Sequence, residues 1–216
     1  PFFFGEYGNM GEDKDQVATK RTELKYLNHY SLWVPVMHAE AASTNLLWRV
    51  DWSFMPPSDF LDNYKRFSTW INPELPYLRS MGHFWGGENL NGFWVGGYKN
   101  ANRALLYFYN KAAKWDVLNP PSVAGASYTL SGFTNGTYTI QYTNPFTGVS
   151  QTPTTAVVTT GSLTITAPSF QRDLAVKVFS GSTPPPTITN TPIPTATPTQ
   201  GVNTPTPTIP RVPGDA

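Results

Sequence analysis

The sequence contains no cysteine and few charged residues, and each absence excludes a class of chemistry. Without cysteine, neither a disulfide framework nor a Cys-ligated metal site can form. Charged residues make up 13% of the 216 residues, and 15 Lys and Arg stand against 14 Asp and Glu. This balance gives no reason to expect nucleic acid or an anionic membrane as a partner. No apolar run reaches the roughly 18 residues that a membrane-spanning helix needs.

Aromatic residues are abundant by contrast, at 14% of the chain, with seven Trp and eleven Tyr. Such a composition is typical of β-rich proteins and of proteins that stack sugar rings, and a large aromatic core is the alternative. The length allows one or two domains by the usual range of roughly 100–200 residues each.

A short apolar run, Phe2-Phe3-Phe4, ends in Gly5-Glu6-Tyr7-Gly8-Asn9. The run is too short for a helix and does not alternate, so it predicts a strand buried on both faces, as in a parallel sheet. The flanking glycines permit a sharp turn and a close approach to a ligand. Glu6 would then lie at the carboxyl end of a strand, where α/β barrels keep catalytic groups. The alternative is a glutamate in an ordinary strand-to-helix loop. The chain starts inside this apparent strand without an initiator Met, which favours a piece of a longer protein.

Two strand–helix units are predicted in residues 1–79. Apolar residues at helical spacing predict a helix over about 17–37, which Pro35 is expected to kink or shorten. A second short strand is predicted at 45–52, and a turn with a cap at 56–59 precedes a helix over about 60–69. The acidic residues before the first helix, Glu12, Asp13 and Asp15, are interpreted as charges at its amino end rather than as a second catalytic acid.

Residues 80–180 have an all-β pattern, with strands predicted at 92–98, 104–109, 127–130, 138–143, 155–158, 162–166 and 175–179. Alternation in two of these strands, at 138–142 and 163–165, predicts one buried face per strand. About seven short strands in roughly 100 residues predict an antiparallel β-sandwich. The remaining residues, 181–216, are dominated by Pro and Thr and predict an extended, disordered polyproline II linker that buries no core.

The first nine residues resemble the nucleophile strand of cellulase-like glycoside hydrolases (clan A, family 5 type), in which an apolar strand ends in Gly-Glu-aromatic-Gly. The segments His29-Tyr-Ser-Leu-Trp33 and Trp48–Trp52 resemble a His-x-x-x-Trp segment on the seventh helix and a Trp-rich eighth strand of related enzymes. The resemblance implies an α/β plus all-β chain that contains the last two units of an incomplete (β/α)8 barrel.

The resemblance also implies retaining chemistry, which needs two carboxyl groups about 5–5.5 Å apart. It assigns Glu6 as the nucleophile and places the acid/base at the end of a fourth strand that this chain lacks. The chain by itself is therefore expected to be inactive. Among candidate substrate-binding residues, Trp48 and Trp52 offer flat faces to a sugar, with core packing as the alternative. Asn9 and His29 complete the set, although a helical His29 suits a structural hydrogen bond better. No cofactor is expected. No metal is expected either, because the remaining histidines have no partners at metal-ligand spacing.

Segments 130–138 and 168–175 resemble the C-terminal sandwich that follows many such barrels. Pro/Thr linkers are common in secreted bacterial polysaccharide-degrading enzymes, and the last four residues resemble the opening of a dockerin repeat without its further calcium ligands. Together these resemblances predict a modular, extracellular glycoside hydrolase for plant-type or other β-linked polysaccharide, with a further C-terminal module. The alternative is a non-catalytic carbohydrate-binding or cell-surface scaffold with a degenerate barrel.

Overall fold

The computed structural model describes residues 21–38, 57–86, 90–114 and 116–181. Helix α1 spans Arg21–Met37 and α2 spans Pro57–Ile71, and a 3-10 turn at Asn72–Glu74 leads into the short helix α3, Leu75–Leu78. Eight strands follow: β1 Gly82–Trp85, β2 Phe93–Lys99, β3 Arg103–Asn110, β4 Ser127–Ser131, β5 Gly136–Thr143, β6 Thr154–Val158, β7 Ser162–Thr166 and β8 Asp173–Ser180. No helix in these ranges is long and apolar enough to cross a bilayer.

The helices agree with the sequence pattern where they are described. Helix α1 ends at Met37 as predicted, and Pro35 does not terminate it, since His38 N still donates to Val34 O at 2.9 Å. Helix α2 starts earlier than predicted, at Pro57, because a proline is tolerated in the first turn, where its missing N–H would have no partner. The predicted strands at 2–4 and 45–52 lie outside the described residues.

The strands form two antiparallel sheets. The larger has six strands in the order β1-β2-β3-β8-β5-β6, and the smaller pairs β4 with β7. Their pairing is regular: Tyr107 lies opposite Ala175 across β3 and β8, and Leu130 lies opposite Leu163 across β4 and β7. Neither sheet closes into a barrel within the described ranges.

The six-stranded sheet is covered on both faces. One face shares a hydrophobic core with the β4–β7 sheet, and its most buried members are Val95, Ala104, Leu106, Phe108, Ile165, Val176 and Val178. The opposite face packs against α1 and α2 through a second cluster that includes Trp33, Met37, Trp70, Leu105, Tyr107 and Ala175. Strands β3 and β8 lie in the middle of the sheet, and alternate side chains along them enter the two clusters.

The seven predicted strands are present with small shifts at their ends, and two predictions need correction. Strand β1 was not predicted, because Gly-His-Phe-Trp is short and has neither alternation nor β-branched residues. The prediction of one buried face holds for β7 but is wrong for β5, where Thr139 and Thr143 are buried as well. The Thr139 hydroxyl donates to Gly181 O at 2.6 Å and the Thr143 hydroxyl is hydrogen-bonded to Ser150 Oγ at 2.8 Å, so neither buried hydroxyl lacks a partner.

Two adjacent glycines in β2 permit close approaches, one to the residue after α1 and one to strand β3. A Cβ at Gly96 would lie 2.9 Å from His38 Cδ2, so only glycine leaves room for this imidazole. Gly97 has φ +155, and a Cβ there would lie 1.9 Å from Leu105 O on the next strand. Both positions therefore need glycine for a steric reason.

Candidate functional site

The most polar part of the core lies where α1 meets the start of β8. His29 Nε2 lies 2.5 Å from Asp173 Oδ2, and the Tyr107 hydroxyl donates to the same oxygen at 2.7 Å. The exposed fractions are 0% for His29 and 3% for Asp173. A buried carboxylate is stable only when hydrogen bonds replace its water, and these two partners supply them. Burial, and then the neighbouring Asp173, raise the pKa of Tyr107 well above its ordinary value, so its hydroxyl keeps its proton.

Trp33 lies one helical turn after His29 and on the same face of α1, as expected for residues at i and i+4. Its ring stacks on Tyr107 at 5.5 Å between centroids, and it contacts Trp70 at 5.0 Å and Phe67 at 4.9 Å. The His-x-x-x-Trp spacing therefore directs both side chains onto β3 and β8, and α2 closes the packing from the other side.

Arg172, immediately before β8, holds a loop and α1 together. Its guanidinium donates to the Tyr30 hydroxyl at 3.0 Å, to Leu118 O at 2.8 Å and to Val117 O. The guanidinium carbon also lies 3.3 Å from the centroid of the Tyr26 ring. Carbonyl acceptors and an aromatic face thus replace water around this buried cation.

A second buried charge cluster centres on Glu74, in the turn after α2. Arg103 Nη1 lies 2.7 Å from its Oε2 and Lys177 Nζ lies 3.1 Å from its Oε1. Arg103 also covers the Tyr77 ring at 3.8 Å, and Lys177 lies 5.2 Å from the Trp70 ring. Burial lowers the pKa of Lys177, and the Glu74 carboxylate opposes that shift. The cluster fastens the segment after α2 to strands β3 and β8.

Both clusters suit positioning rather than direct chemistry. A group that reacts with a polymer must reach it, whereas the side chains of His29 and Glu74 are fully buried. Within the described ranges, no group of three or more His, Cys, Asp or Glu side chains could hold a metal ion. What the arrangement can do is fix α1 and α2, the helices that follow the two predicted strands, against the sheets.

Only one candidate site residue falls in the described part of the chain. His29 is there, and its contacts fit the structural alternative. Glu6, Asn9, Trp48 and Trp52 lie outside it, so their assignments stay predictions. Glu74 was missed by the sequence analysis, although a lysine inside the apolar strand Asp-Leu-Ala-Val-Lys-Val-Phe signals that a buried partner is needed.

Protonation of His38 is expected to destabilise the fold in mild acid. Burial, and secondarily the charge of His83, lower the pKa of His38 from 6.5 to about 4. Its ring packs edge-on to Trp85 at 4.5 Å between centroids and is 7% exposed. The unfolded chain binds this proton near pH 6.5 and the folded chain only near pH 4, so stability is lost as the pH falls through that interval.

Urea unfolding at neutral pH and near pH 5 measures this effect, which amounts to about 2 kcal/mol over that range. The variant His38→Gln keeps a polar side chain without the titration and should lack this component. Carboxylates that titrate in the same range are common to both proteins and cancel in the comparison. Equal pH dependence in the two proteins would contradict the assignment.

Comparison with known proteins gives only distant matches. No protein-family description matches the chain, and no curated protein does. A GH30 endoxylanase from Clostridium papyrosolvens aligns with a TM-score of 0.37 and 11% identity, over 83% of this chain and 42% of its own. A second solved structure, a glycoside hydrolase, aligns with a TM-score of 0.36 and 11% identity, over 74% of this chain and 38% of its own. The chain spans less than half the length of either protein, and likeness this distant assigns no activity to it.

Proposed function

We propose that this chain is the C-terminal part of a secreted retaining glycoside hydrolase that cleaves β-linked polysaccharide, with the end of its barrel packed on a C-terminal β-sandwich. One observation carries the proposal. The two segments whose sequences separately resemble the seventh helix and the final sandwich strand of such enzymes meet through the His29–Asp173 hydrogen bond, 144 residues apart in sequence. If both resemblances were due to chance, there would be no reason for the two segments to contact each other.

Glu6 supplies the nucleophile in this proposal. Its carboxylate attacks the anomeric carbon while a carboxylic acid from another segment protonates the leaving oxygen, which breaks the glycosidic bond and leaves a glycosyl ester. The same acid, now ionised, removes a proton from water, which attacks the ester and restores Glu6. Helix α1 follows the Glu6 motif in sequence, so its buried attachment to β8 supports the position of that motif.

The remaining parts serve binding and spacing. Trp48 and Trp52 stack on sugar rings, Asn9 hydrogen-bonds the substrate, and the sheets position the barrel helices. The Pro/Thr segment acts as a spacer: at about 3.1 Å per residue, some 30 residues reach roughly 90 Å. Such a spacer suits an extracellular enzyme that carries a further module, such as a dockerin, beyond it.

The test is the stereochemistry of hydrolysis by the full-length protein. Soluble β-linked xylan, glucan and mannan oligosaccharides are incubated with the enzyme, and proton NMR follows the first product formed. We expect the β-anomer first, because two displacements retain configuration. The α-anomer first, or no cleavage of any substrate, would overturn the retaining assignment.

The scaffold alternative is favoured by one feature. Trp85, on edge strand β1, is 42% exposed, and its ring lies 6.5 Å from that of Trp94. Exposed aromatic faces are what a glycan-binding surface without catalysis would use. Binding to insoluble polysaccharide by a full-length protein that hydrolyses none of them would favour this alternative.

A further inference from the structure

We propose that Asn91 is a site of spontaneous deamidation, at which the side-chain amide is converted to a carboxylate in the folded protein. The sequence contains two Asn-Gly pairs, Asn91-Gly92 and Asn135-Gly136. In such pairs the glycine nitrogen attacks the asparagine side chain readily, because no Cβ hinders its approach. The proposal is independent of the glycosidase assignment.

The Asn91-Gly92 pair forms a two-residue turn immediately before β2. Leu90 and Phe93 face each other across this turn as an antiparallel bridge, and Phe93 N lies 3.4 Å from Leu90 O. Gly92 has φ +78, a conformation that suits glycine, and both turn residues are exposed. Among the described residues, none is hydrogen-bonded to the Asn91 amide. The side chain is therefore free to rotate toward the next backbone nitrogen.

At the first pair only the backbone is held, with Lys111 N donating to Gly92 O at 3.0 Å, whereas at the second pair the asparagine side chain is held as well. Asn135 Oδ1 accepts a hydrogen bond from Gly161 N at 3.1 Å. Gly136 is the first residue of β5 and is paired with Val158 of β6. For the Asn135 side chain to reach Gly136 N, its hydrogen bond to Gly161 N must break and the end of the β5–β6 pairing must open. All four residues are exposed, so the two pairs differ chiefly in the constraint on the asparagine side chain.

The reaction needs only water and base. The Gly92 nitrogen loses its proton and bonds to Asn91 Cγ, the C–N bond of the side-chain amide breaks, and ammonia leaves. Water then opens the five-membered imide at one of its two carbonyls. The products carry one carboxylate, on an aspartyl or an isoaspartyl residue at position 91, and no oxidant or reductant takes part.

The change would alter a groove at this end of the two sheets. Asn91 lines two adjoining cavities of about 280 and 370 Å³, bounded on the other side by the segment at 121–127. Deamidation adds a negative charge to this groove, whose wall also includes Lys111. The isoaspartyl form lengthens the backbone by one methylene within a two-residue turn, so the Leu90–Phe93 bridge would be disturbed.

The test is ageing of the full-length protein in mildly alkaline buffer, with peptide mapping of both pairs by mass spectrometry. Conversion raises the peptide mass by roughly one dalton and creates isoaspartate that separates chromatographically. We expect Asn91 to convert about tenfold faster than Asn135, a factor that the loss of a single hydrogen bond at Asn135 accounts for. The variant Asn91→Gln should abolish the fast conversion, and Asn135→Gln should leave it unchanged.

Ageing in concentrated urea separates the effect of the fold on the two deamidation rates from the effect of the local sequence. The two rates should converge there, because both constraints on Asn135 are removed. Equal rates in the folded protein, or faster conversion at Asn135, would overturn the proposal, as would a tenfold difference that persists in urea.

Discussion

Glu6→Gln in the full-length enzyme is expected to lower kcat by a factor on the order of 10³ or more. Glutamine has nearly the same size and still accepts a hydrogen bond, but its amide cannot displace a glycosidic oxygen. Because the substrate-binding residues are untouched, KM should change little. Initial rates on the best xylan, glucan or mannan substrate measure the effect.

Two further variants show whether the lost group is the nucleophile. Glu12→Gln removes a carboxylate that is interpreted as a charge at the start of a helix, and it should retain near-normal activity. Glu6→Ala should regain turnover when azide is added, giving a glycosyl azide of inverted configuration, because azide attacks the face that the carboxylate has vacated. A product of retained configuration would assign Glu6 to acid/base catalysis instead, and full activity in Glu6→Gln would remove it from the mechanism.

Glu74→Ala is expected to lower the free energy of unfolding by about 3–5 kcal/mol, the range seen when one member of a buried ion pair is removed. The protein is destabilised because Lys177 and Arg103 keep their charges after their shared carboxylate is removed. Lys177 is 6% exposed, and its ammonium lies 3.1 Å from the carboxylate, while Arg103 loses its 2.7 Å partner. Lys177 has almost no water to replace the lost oxygen, and Arg103, which is partly buried, is only partly solvated in its place. Urea unfolding followed by Trp fluorescence measures the change.

An exposed ion pair provides the matched control. Asp62 and Arg66 lie at i and i+4 on α2, at 3.5 Å and largely in solvent. Asp62→Ala should change the free energy of unfolding by no more than about 0.5 kcal/mol. Glu74→Gln, which keeps an oxygen for Arg103, should fall between the two variants. A Glu74→Ala protein as stable as Asp62→Ala would show that Glu74 does not compensate the buried cations.

Local patterns predicted most of the secondary structure in the described residues. Alternation located β7 within one residue, and helical spacing located the end of α1, since both depend on neighbours close in sequence. Edge strand β1 escaped prediction because its pairing with β2, rather than its own residues, makes it a strand. The burial of Thr139 on β5 escaped for a related reason, because the partner of its hydroxyl is Gly181, which is distant in sequence.

The buried clusters were predictable only in part. The spacing of His29 and Trp33 predicts that they share a helix face, but no local pattern identifies Asp173 as the partner. Glu74 occurs in an ordinary-looking turn between two prolines, and its importance follows from Lys177 and Arg103 on strands far along the chain. Tertiary packing decides which distant charges pair. Periodic patterns in a single sequence carry no signal for such pairs.

Strand β8 contributes to the polar attachments of both parts of the helical layer. Asp173 receives α1 and Lys177 receives the turn after α2, and alternate side chains along the same strand enter the core shared with β4 and β7. A polypeptide shortened before Asp173 would thus lose the hydrogen bond to α1 and the lysine at the turn after α2 at the same time, while the contacts from β2 and β3 would remain. The helical layer and the sheet are therefore expected to unfold as one unit, because one central strand is shared by the contacts on both of its faces.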